Sequence, residues 1–357
     1  MSHAPPRPSR NAPPVRVNLY SDTQTRPTPA MKAAMMAAET GDEQAGLDPT
    51  VDALCDRMAA LLGTEAALFL PSGTMCNRVA LLTHCRPGDG VLAHETAHIL
   101  SAEGGGAAAL GGVQIMPLPG ARGQFDVATL EAALLPRSRY AVPQTLLAVE
   151  QTSNLGGGAV WPAARLREIA AWAHAHGMAT HMDGARLLNA VVASGVPAAE
   201  MAAGYDSVWL DFTKGLGAPL GAVLCGPAAF IDRAWVWKQR LGGGLRQAGL
   251  CAAACLYALD HHVARLAEDH ANAAALARAL AQVEGITVES PETNLVFFDT
   301  SGTGLRAADL AARLRERGVL ISATGEWRAR ACTHLDVDRA QVDLAAAMVR
   351  DSVAGRR

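Results

Sequence analysis

Lysine is scarce in this chain, which has three lysines among 357 residues, against 28 arginines. Long apolar runs are missing as well, since no stretch of about eighteen apolar residues, the minimum for a membrane-spanning helix, occurs. The net charge is only −3, and such a small charge gives no attraction to nucleic acid or to anionic membranes. Residues 1–16 contain five prolines and three arginines, without the apolar core of a signal peptide. These absences predict a cytoplasmic protein that binds neither nucleic acid nor membrane.

Paired cysteine motifs are absent too. The seven cysteines are an odd number, and no two of them form a Cys-x-x-Cys pair. This spacing argues against a disulfide framework and against a zinc site, so we expect no metal centre.

Helical and strand-like segments alternate from about residue 31 onward, which predicts an α/β fold with a mostly parallel sheet covered on both faces. The expected architecture is a large domain at 18–249 and a small α+β domain at 250–357, preceded by a flexible arm at 1–17. The alanine-rich stretch from 250 to about 283 is predicted to be one long helical segment. In such sheets, ligands bind beyond the carboxyl ends of the strands. The predicted large-domain strands are 66–70, 90–93, 113–117, 145–149, 178–182, 207–212 and 222–225.

One of the three lysines lies in an unusual place. Lys214 follows the apolar run Val208-Trp209-Leu210, whereas Lys32 and Lys238 lie in partly polar, helix-like stretches and are predicted to be surface residues. A lysine at the end of a buried strand loses hydration unless its charge is removed or used. Its commonest productive use is an imine with an aldehyde cofactor, which arginine cannot form. Lys214 is therefore predicted to be catalytic.

A carboxylate and an arginine follow the preceding predicted strand. A pyridine cofactor needs a carboxylate against its ring nitrogen, and Asp183 is suited to that, with Gly184 allowing close approach of the ring. Asp183 could equally be only the cap of the next helix. Arg186 could pair with the cofactor's phenolate oxygen or with a substrate carboxylate, or it could be a solvated surface residue.

Two segments carry features typical of phosphate sites. Ser72, Gly73 and Thr74 precede a predicted helix, whose first N–H groups could bind a phosphate, although any helix favours such a cap. The run 242–244 is all glycine and is followed by Arg246, which could hold a phosphate in fork geometry. These glycines could equally be a hinge between domains.

His98 stands five residues before Glu103, after a predicted strand. A histidine here could stack on a cofactor ring and move protons. The other histidines, among them His84, are given no function, and His261 and His262 are predicted to be surface residues of a polar helix.

Taken together, these motifs resemble the fold-type I pyridoxal phosphate enzymes and, more narrowly, the L-threonine aldolase family within the β-eliminating lyase and threonine aldolase group. The motifs occur in order over residues 18–337, nearly the whole chain. They comprise 21–25, 46–50, 72–75, 97–98 with Glu103, 150–154, 181–186, 213–217, 242–249 and 330–337.

The resemblance implies a role for each matching residue. Lys214 would bind pyridoxal 5′-phosphate as an imine, Asp183 would face the ring nitrogen, and His98 would stack on the ring. Ser72, Gly73 and Thr74 would hold the phosphate, and Arg246 would reach the phosphate of a neighbouring subunit. The substrate carboxylate would be bound by Arg186 and Arg330 together with Ser21. The resemblance further implies a homotetramer with active sites between subunits.

The implied reaction is retro-aldol cleavage of L-3-hydroxy amino acids such as threonine and allo-threonine to glycine and an aldehyde. The sequence departs from the family pattern twice, because Ser153 stands where a histidine near the substrate hydroxyl is usual and Ala45 where a tyrosine is usual. A serine is not a base at neutral pH without activation, so His98 or a water would have to take the hydroxyl proton. Both replacements are smaller, which favours bulkier substrates such as phenylserine.

Two alternatives remain at this stage. The chain could be a pyridoxal phosphate enzyme of another reaction type, a β-eliminating lyase or an aminotransferase, which would release a keto acid. It could also be a structural or regulatory protein without cofactor, against which Lys214 and Asp183 argue. A nucleotide-binding protein is disfavoured because the glycine spacing at 215–221 does not match a dinucleotide loop.

Overall fold

The structure, a computed structural model, describes residues 13–355, which form two compact units. The larger unit is Pro27–Val263, and the smaller one joins the described residues up to Arg26 to those from Ala264 onward. Most of the predicted arm at 1–17 lies outside the described residues. Its last residue differs from the prediction, because Val17–Asn18 is a strand (β1) of the smaller unit.

A seven-stranded sheet forms the centre of the larger unit. Five neighbouring strands of this sheet run parallel to one another, and only the strand Ala222–Gly226 is antiparallel to both of its partners. The spatial order is β2-β8-β7-β6-β5-β3-β4, with β2 Ala66–Leu70, β3 Gly90–His94, β4 Gln114–Leu118, β5 Gln144–Glu150, β6 Ala179–Gly184, β7 Ser207–Asp211 and β8 Ala222–Gly226. The predicted mostly parallel α/β sheet is thus confirmed.

Eleven helices accompany this sheet in the described part of the larger unit. Their ends follow local chemistry; for example, Asp48 accepts hydrogen bonds from the N–H groups of Thr50 and Val51, and Gly63 ends the same helix at a φ of 68°. The helices are α1 Pro29–Met36, α2 Pro49–Leu62, α3 Gly73–His84, α4 His98–Ser101, α5 Gly106–Gly111, α6 Val127–Ala133, α7 Ala163–Ala175, α8 Leu187–Ser194, α9 Ala198–Ala202, α10 Ala228–Arg240 and α11 Gly249–His261.

The smaller unit is α+β, as predicted. Its four-stranded antiparallel sheet has the order β12-β13-β10-β9, and β1 pairs in parallel with β11. Apolar side chains from both strand sets and from three helices share one core. The elements are β9 Thr287–Val288, β10 Leu295–Asp299, β11 Val319–Leu320, β12 Ser322–Ala323 and β13 Arg328–Cys332, with α12 Leu266–Leu280, α13 Ala307–Arg315 and α14 Arg339–Val353.

The boundary between the units differs from the predicted one. The alanine-rich stretch is two helices, α11 and α12, separated at 262–265. Since α11 packs against α1 and α2, it belongs to the larger unit, and the division falls at Val263 rather than at residue 249.

No helix in the described range is long and apolar enough to cross a membrane.

Candidate active site

Three neighbouring parallel strands of the larger unit end in carboxylates. Glu150 is the last residue of β5 and is the register partner of Asp183 near the end of β6, while Asp211 ends β7. All three are buried. Because parallel strands end at one edge, the sequence concentrates negative charge where ligands of such sheets bind.

Lys214 lies just beyond β7 and forms an ion pair with Asp211 through its Nζ atom. The other oxygen of Asp211 accepts hydrogen bonds from Thr213, at 2.9 Å from its backbone nitrogen and 2.8 Å from its hydroxyl. Asp211 therefore fixes both the turn and the amine. The Lys214 side chain keeps 18% of its surface exposed, so its amine can be reached by a small molecule.

The cavity beside Lys214 brings two predicted site residues together. Arg186 lines the same cavity and is only 6% exposed, so it is not a solvated surface residue. The remaining lining comes from the ends of β6 and β7 and from α8: Gly184, Ala185, Leu187, Leu188, Asn189, Leu210, Asp211, Gly215 and Leu216. A fixed guanidinium beside a reachable amine suits a small ligand that carries a carboxylate.

Asp183 is a buried carboxylate held by two donors. Its Oδ2 atom accepts a hydrogen bond from Asn77 at 2.8 Å, and its Oδ1 atom accepts one from the Ala185 N–H at 3.0 Å. Burial, helped by the nearby Glu150, raises the pKa of Asp183 to about 7, against the opposing effects of His98, Asn77 and Lys214. A cationic partner would relieve this cost, so the site suits a protonated ring nitrogen.

His98, at the start of α4, lies close to this carboxylate. Nitrogen and oxygen atoms of His98, Glu103 and Asp183 all lie within 4.8 Å of one another. The Nδ1 atom of His98 is 2.9 Å from Glu103, which leaves Nε2 for a ligand. Burial lowers the pKa of His98, but the hydrogen bond with Glu103 and the charges of Asp183 and Glu150 outweigh it, so the net shift is upward.

The predicted phosphate residues form the start of α3. Ser72 caps this helix by accepting a hydrogen bond from the Met75 N–H at 3.3 Å, and Ser72 and Thr74 are exposed. Gly73 is required by packing, because a Cβ atom there would lie 2.2 Å from the Trp209 ring. The first N–H groups and the hydroxyls thus remain available to an anion.

Arg246 is exposed and forms an ion pair with Asp42, at 2.9 Å. The glycine run before it lies against α3, since a Cβ atom on Gly243 would meet the Met75 sulfur at 2.4 Å. The run therefore belongs to the larger unit and adjoins the start of α3, rather than joining the two units as a hinge.

Three further predicted residues have surroundings of their own. Ser153 is buried and lines a different cavity, together with His94 and Glu150. Ser21 and Arg330 belong to the smaller unit, where Arg330 donates to the carbonyl oxygen of Tyr20, at 3.4 Å, beside Ser21. Their part in a site remains a prediction.

The packing adds a reason for one glycine and corrects two expectations of surface exposure. Gly184 is also needed by the sheet, because a Cβ atom there would lie 2.0 Å from the carbonyl oxygen of Trp209 on the neighbouring strand. Lys238 is not at the surface but fully buried, paired with Glu43. His262 is buried too, with Nδ1 2.7 Å from the carbonyl oxygen of Leu216.

Sequence reasoning missed Asn77, which links Glu103 to Asp183 through hydrogen bonds of 2.7 and 2.8 Å. The available signal was a polar amide within the apolar run of α3. Asn77 contacts residues far away in the chain, so its function could not be read from that signal alone.

Comparison with known proteins agrees with this geometry. The profile of the family described as beta-eliminating lyase matches residues 18–303. The low specificity L-threonine aldolase of Escherichia coli K12 is 42% identical over 339 residues, covering 95% of this chain and 99% of that protein. The low-specificity L-threonine aldolase 1 of Arabidopsis thaliana is 39% identical over 333 residues, covering 91% and 93%.

A solved structure shows the same fold. The threonine aldolase of Leishmania major superposes with a TM-score of 0.80 at 22% identity, covering 94% of this chain and 99% of that one. The matches span nearly the full length of each protein, and they agree with the motifs around Lys214. The chain therefore belongs to the beta-eliminating lyase family, and within it to the threonine aldolases.

Proposed function

We propose that this protein is a carbon–carbon lyase that cleaves L-3-hydroxy amino acids to glycine and an aldehyde, with pyridoxal 5′-phosphate as its cofactor. The observation that carries the proposal is the pairing of Lys214 with Asp211 in the cavity shared with Arg186. An amine that is reachable yet held by a carboxylate, beside a guanidinium, fits a lyase acting on an amino acid.

The residues present fit the cofactor. Lys214 is the nucleophile for its aldehyde, Asp183 is the carboxylate for its ring nitrogen, and Ser72, Gly73 and Thr74 would hold its phosphate. The raised pKa of Asp183, which follows from burial, is lowered again when a cation lies beside it. When bound, the cofactor supplies an electron sink for the carbon that bears the substrate's amino group.

The protein's own groups would orient the substrate around this cavity. Arg186 would bind the substrate carboxylate through its guanidinium, since a planar fork matches two carboxylate oxygens. Asp211 accepts a hydrogen bond from Lys214 Nζ. Its carboxylate is therefore placed to stabilise the protonated amine while Lys214 is not bound to the cofactor. Arg330 and Ser21 of the smaller unit are proposed as further carboxylate ligands, as the resemblance implies.

His98 is proposed to take the proton of the substrate's β-hydroxyl. Its Nδ1 atom is engaged with Glu103, so its Nε2 atom is the one left to accept a proton. The side chain is 35% exposed, which allows the proton to leave to solvent. Ser153 is not assigned this task, because its hydroxyl packs against Gly123 and Gly156. Cβ atoms added to these glycines would lie 1.7 and 2.6 Å from the Ser153 Oγ atom.

We also infer a cytoplasmic homotetramer in which Arg246 reaches the phosphate of a neighbouring subunit. Four large hydrophobic side chains of the larger unit are more than half exposed, namely Tyr140 (84%), Met36 (81%), Leu47 (67%) and Leu110 (55%), which is typical of an interface. All seven cysteines are free, as in a reducing compartment. Light scattering of the purified protein, compared with the monomer mass of 37.2 kDa, tests the tetramer.

Product analysis tests the reaction. The protein is incubated separately with L-threonine, L-allo-threonine and L-phenylserine, and glycine, aldehyde and keto acid are measured. We expect glycine and aldehyde in equal amounts from at least one substrate. Keto acid with ammonia would instead establish β-elimination, and no turnover of any of the three would refute the proposal. Turnover of threonine without phenylserine would confine the protein to small substrates.

A further inference from the structure

A chain of hydrogen bonds, mostly buried, leads from His84 to Asp183. His84 Nε2 is 2.8 Å from the Ser207 hydroxyl, which is 2.8 Å from His181 Nδ1. His181 Nε2 is 3.1 Å from Asn77 Oδ1. From Asn77 the chain branches through Nδ2 to Glu103 and to Asp183. All of these residues belong to the larger unit.

The direction of this chain is fixed at Asn77 by a neighbour. The indole nitrogen of Trp209 lies 2.7 Å from Asn77 Oδ1. An indole N–H is a donor only, so the atom that faces it must be the amide oxygen, and the amide NH2 must face the other way. That NH2 group then donates one hydrogen to Asp183 and the other to Glu103, and both carboxylates are acceptors.

The donor and the acceptor of each remaining hydrogen bond, from Asn77 back to His84, follow in the same way. Because Asn77 Oδ1 only accepts, His181 must donate from Nε2, and its Nδ1 must accept from the Ser207 hydroxyl. The Ser207 oxygen then accepts from His84 Nε2. Burial lowers the pKa of His181 to about 3 and that of His84 to about 4, so each ring holds a single proton at neutral pH, as this arrangement requires.

We propose that Asn77 is a positioning residue for Asp183, held in one direction by Trp209 and by the chain from His84 through Ser207 and His181. Every donor in the chain points toward the carboxylates, so the chain favours the ionised form of Asp183 in spite of its burial. The direction of the hydrogen bonds does not depend on the proposed function. Their value to the enzyme does rest on it, because an ionised Asp183 is what a cationic ring nitrogen needs.

Neutron diffraction from deuterium-exchanged crystals of the full chain, soaked with pyridoxal phosphate, tests the direction. We expect deuterium on His181 Nε2, on His84 Nε2 and on the Ser207 hydroxyl pointing at His181. Deuterium on His181 Nδ1 with none on Nε2 would overturn the proposal. If the protein does not bind the cofactor, the proposed function fails, but the same crystals still determine the direction of the hydrogen bonds between His84 and Asp183.

The variant Asn77→Asp tests the consequence for Asp183. It keeps the size and the acceptor oxygen but replaces the donor with a carboxylate, so Asp183 should hold its proton to higher pH. Cofactor dissociation constants are measured from pH 5.5 to 9. We expect the pH below which the cofactor is lost to rise by at least about one unit, which is a tenfold weaker affinity below it.

Thr180→Val is the matched control. Thr180 is a buried residue of the same strand, bonded to Asp206 and Gly204 and not to the chain. Its loss should lower the unfolding temperature but leave the pH dependence of cofactor binding unchanged. A constant weakening at all pH values in Asn77→Asp would indicate a structural effect only and would overturn the positioning role. Should Asn77→Asp fail to fold, the neutron result stands as the test.

Discussion

Two lysines of the larger unit each pair with a buried carboxylate, yet their surroundings differ in one respect. Lys214 pairs with Asp211 at the end of β7 and keeps 18% of its side chain exposed, facing a cavity. Lys238 pairs with Glu43, has no exposed side-chain surface and lies 4.3 Å from the centre of the Trp235 ring. A buried acidic partner is therefore common to both. What distinguishes Lys214, the proposed nucleophile, is that part of its side chain stays exposed beside a cavity.

The enclosed pair has a structural task. Glu43 accepts a hydrogen bond from the Leu245 N–H at 3.0 Å, and its own N–H donates to the Arg246 carbonyl oxygen at 3.0 Å. Gly243 donates to the Lys238 carbonyl oxygen at 2.8 Å. The pair thus ties the glycine run and Arg246 to the segment around Glu43. Lys238 is thus enclosed with its partner, as a buried charge requires, whereas Lys214 keeps part of its side chain exposed beside a cavity.

The largest contrast is expected in turnover. Lys214→Ala should lower kcat/KM for the active substrate by at least about 1000-fold, because the nucleophile is lost. Lys32→Ala, at an exposed position, is the control and should keep wild-type rates. Borohydride reduction followed by peptide mapping should place the cofactor on Lys214 alone. Cofactor found on Lys238 would show that its enclosure is incomplete.

For the free energy of unfolding, the larger effect is expected at Lys238 rather than at Lys214. Lys238→Ala leaves Glu43 buried without its cation and should lower the free energy of unfolding by about 3–5 kcal/mol. Lys214→Ala should change it much less, since its amine is partly solvated. Urea unfolding measures both. The double variant Lys238→Met with Glu43→Gln removes both charges and should regain part of the loss; equal loss in single and double variants would mean that the pair is not coupled.

The buried carboxyl of Asp183 should make the free energy of unfolding depend on pH. In the folded protein without cofactor its pKa is about 7, above the usual carboxyl value, so the folded state binds more protons than the unfolded one between about pH 4 and 7. Its contribution to the free energy of unfolding therefore falls as pH rises through that window. Relative to Asp183→Asn, the wild type should lose a few kcal/mol between these pH values. His84 and His181 titrate in both proteins and cancel in the difference.

The smallest effect concerns His98. Since its pKa is raised by Glu103 and neighbouring carboxylates, kcat/KM should fall on the acid side with a midpoint above the usual histidine value. Glu103→Gln removes a negative charge and should move that midpoint to lower pH, by up to about one unit. Glu65→Gln, which alters a carboxyl that only caps Ala228, should leave it in place. An unmoved midpoint in Glu103→Gln would argue that His98 is not the proton acceptor.

The parts of this candidate site that follow strand ends could be proposed from the sequence. Lys214 and Asp183 were recognisable because each stands at the end of a predicted strand, and the mostly parallel sheet was predicted from the alternation of strands and helices, whereas the order of its strands was not. Lys238 was misjudged because α10 is polar on average, and its partner Glu43 lies 195 residues away. Asn77 and His84 escaped for the same reason, since their partners Asp183 and Ser207 are 106 and 123 residues distant. Local patterns indicate elements, but long-range pairs depend on the folded packing.

Trp209 lies at the meeting point of three features. Its ring fills the space over Gly73, its nitrogen fixes Asn77, and its ring centre is 5.7 Å from Lys214 Nζ. A substitution of Trp209 would therefore disturb the start of α3, the hydrogen bonds to Asp183 and the surroundings of the Lys214 amine at the same time. Library designs that aim to broaden the range of accepted aldehydes should keep residues 73, 77 and 209 constant and vary Leu188 and Asn189, which line the cavity beside Lys214.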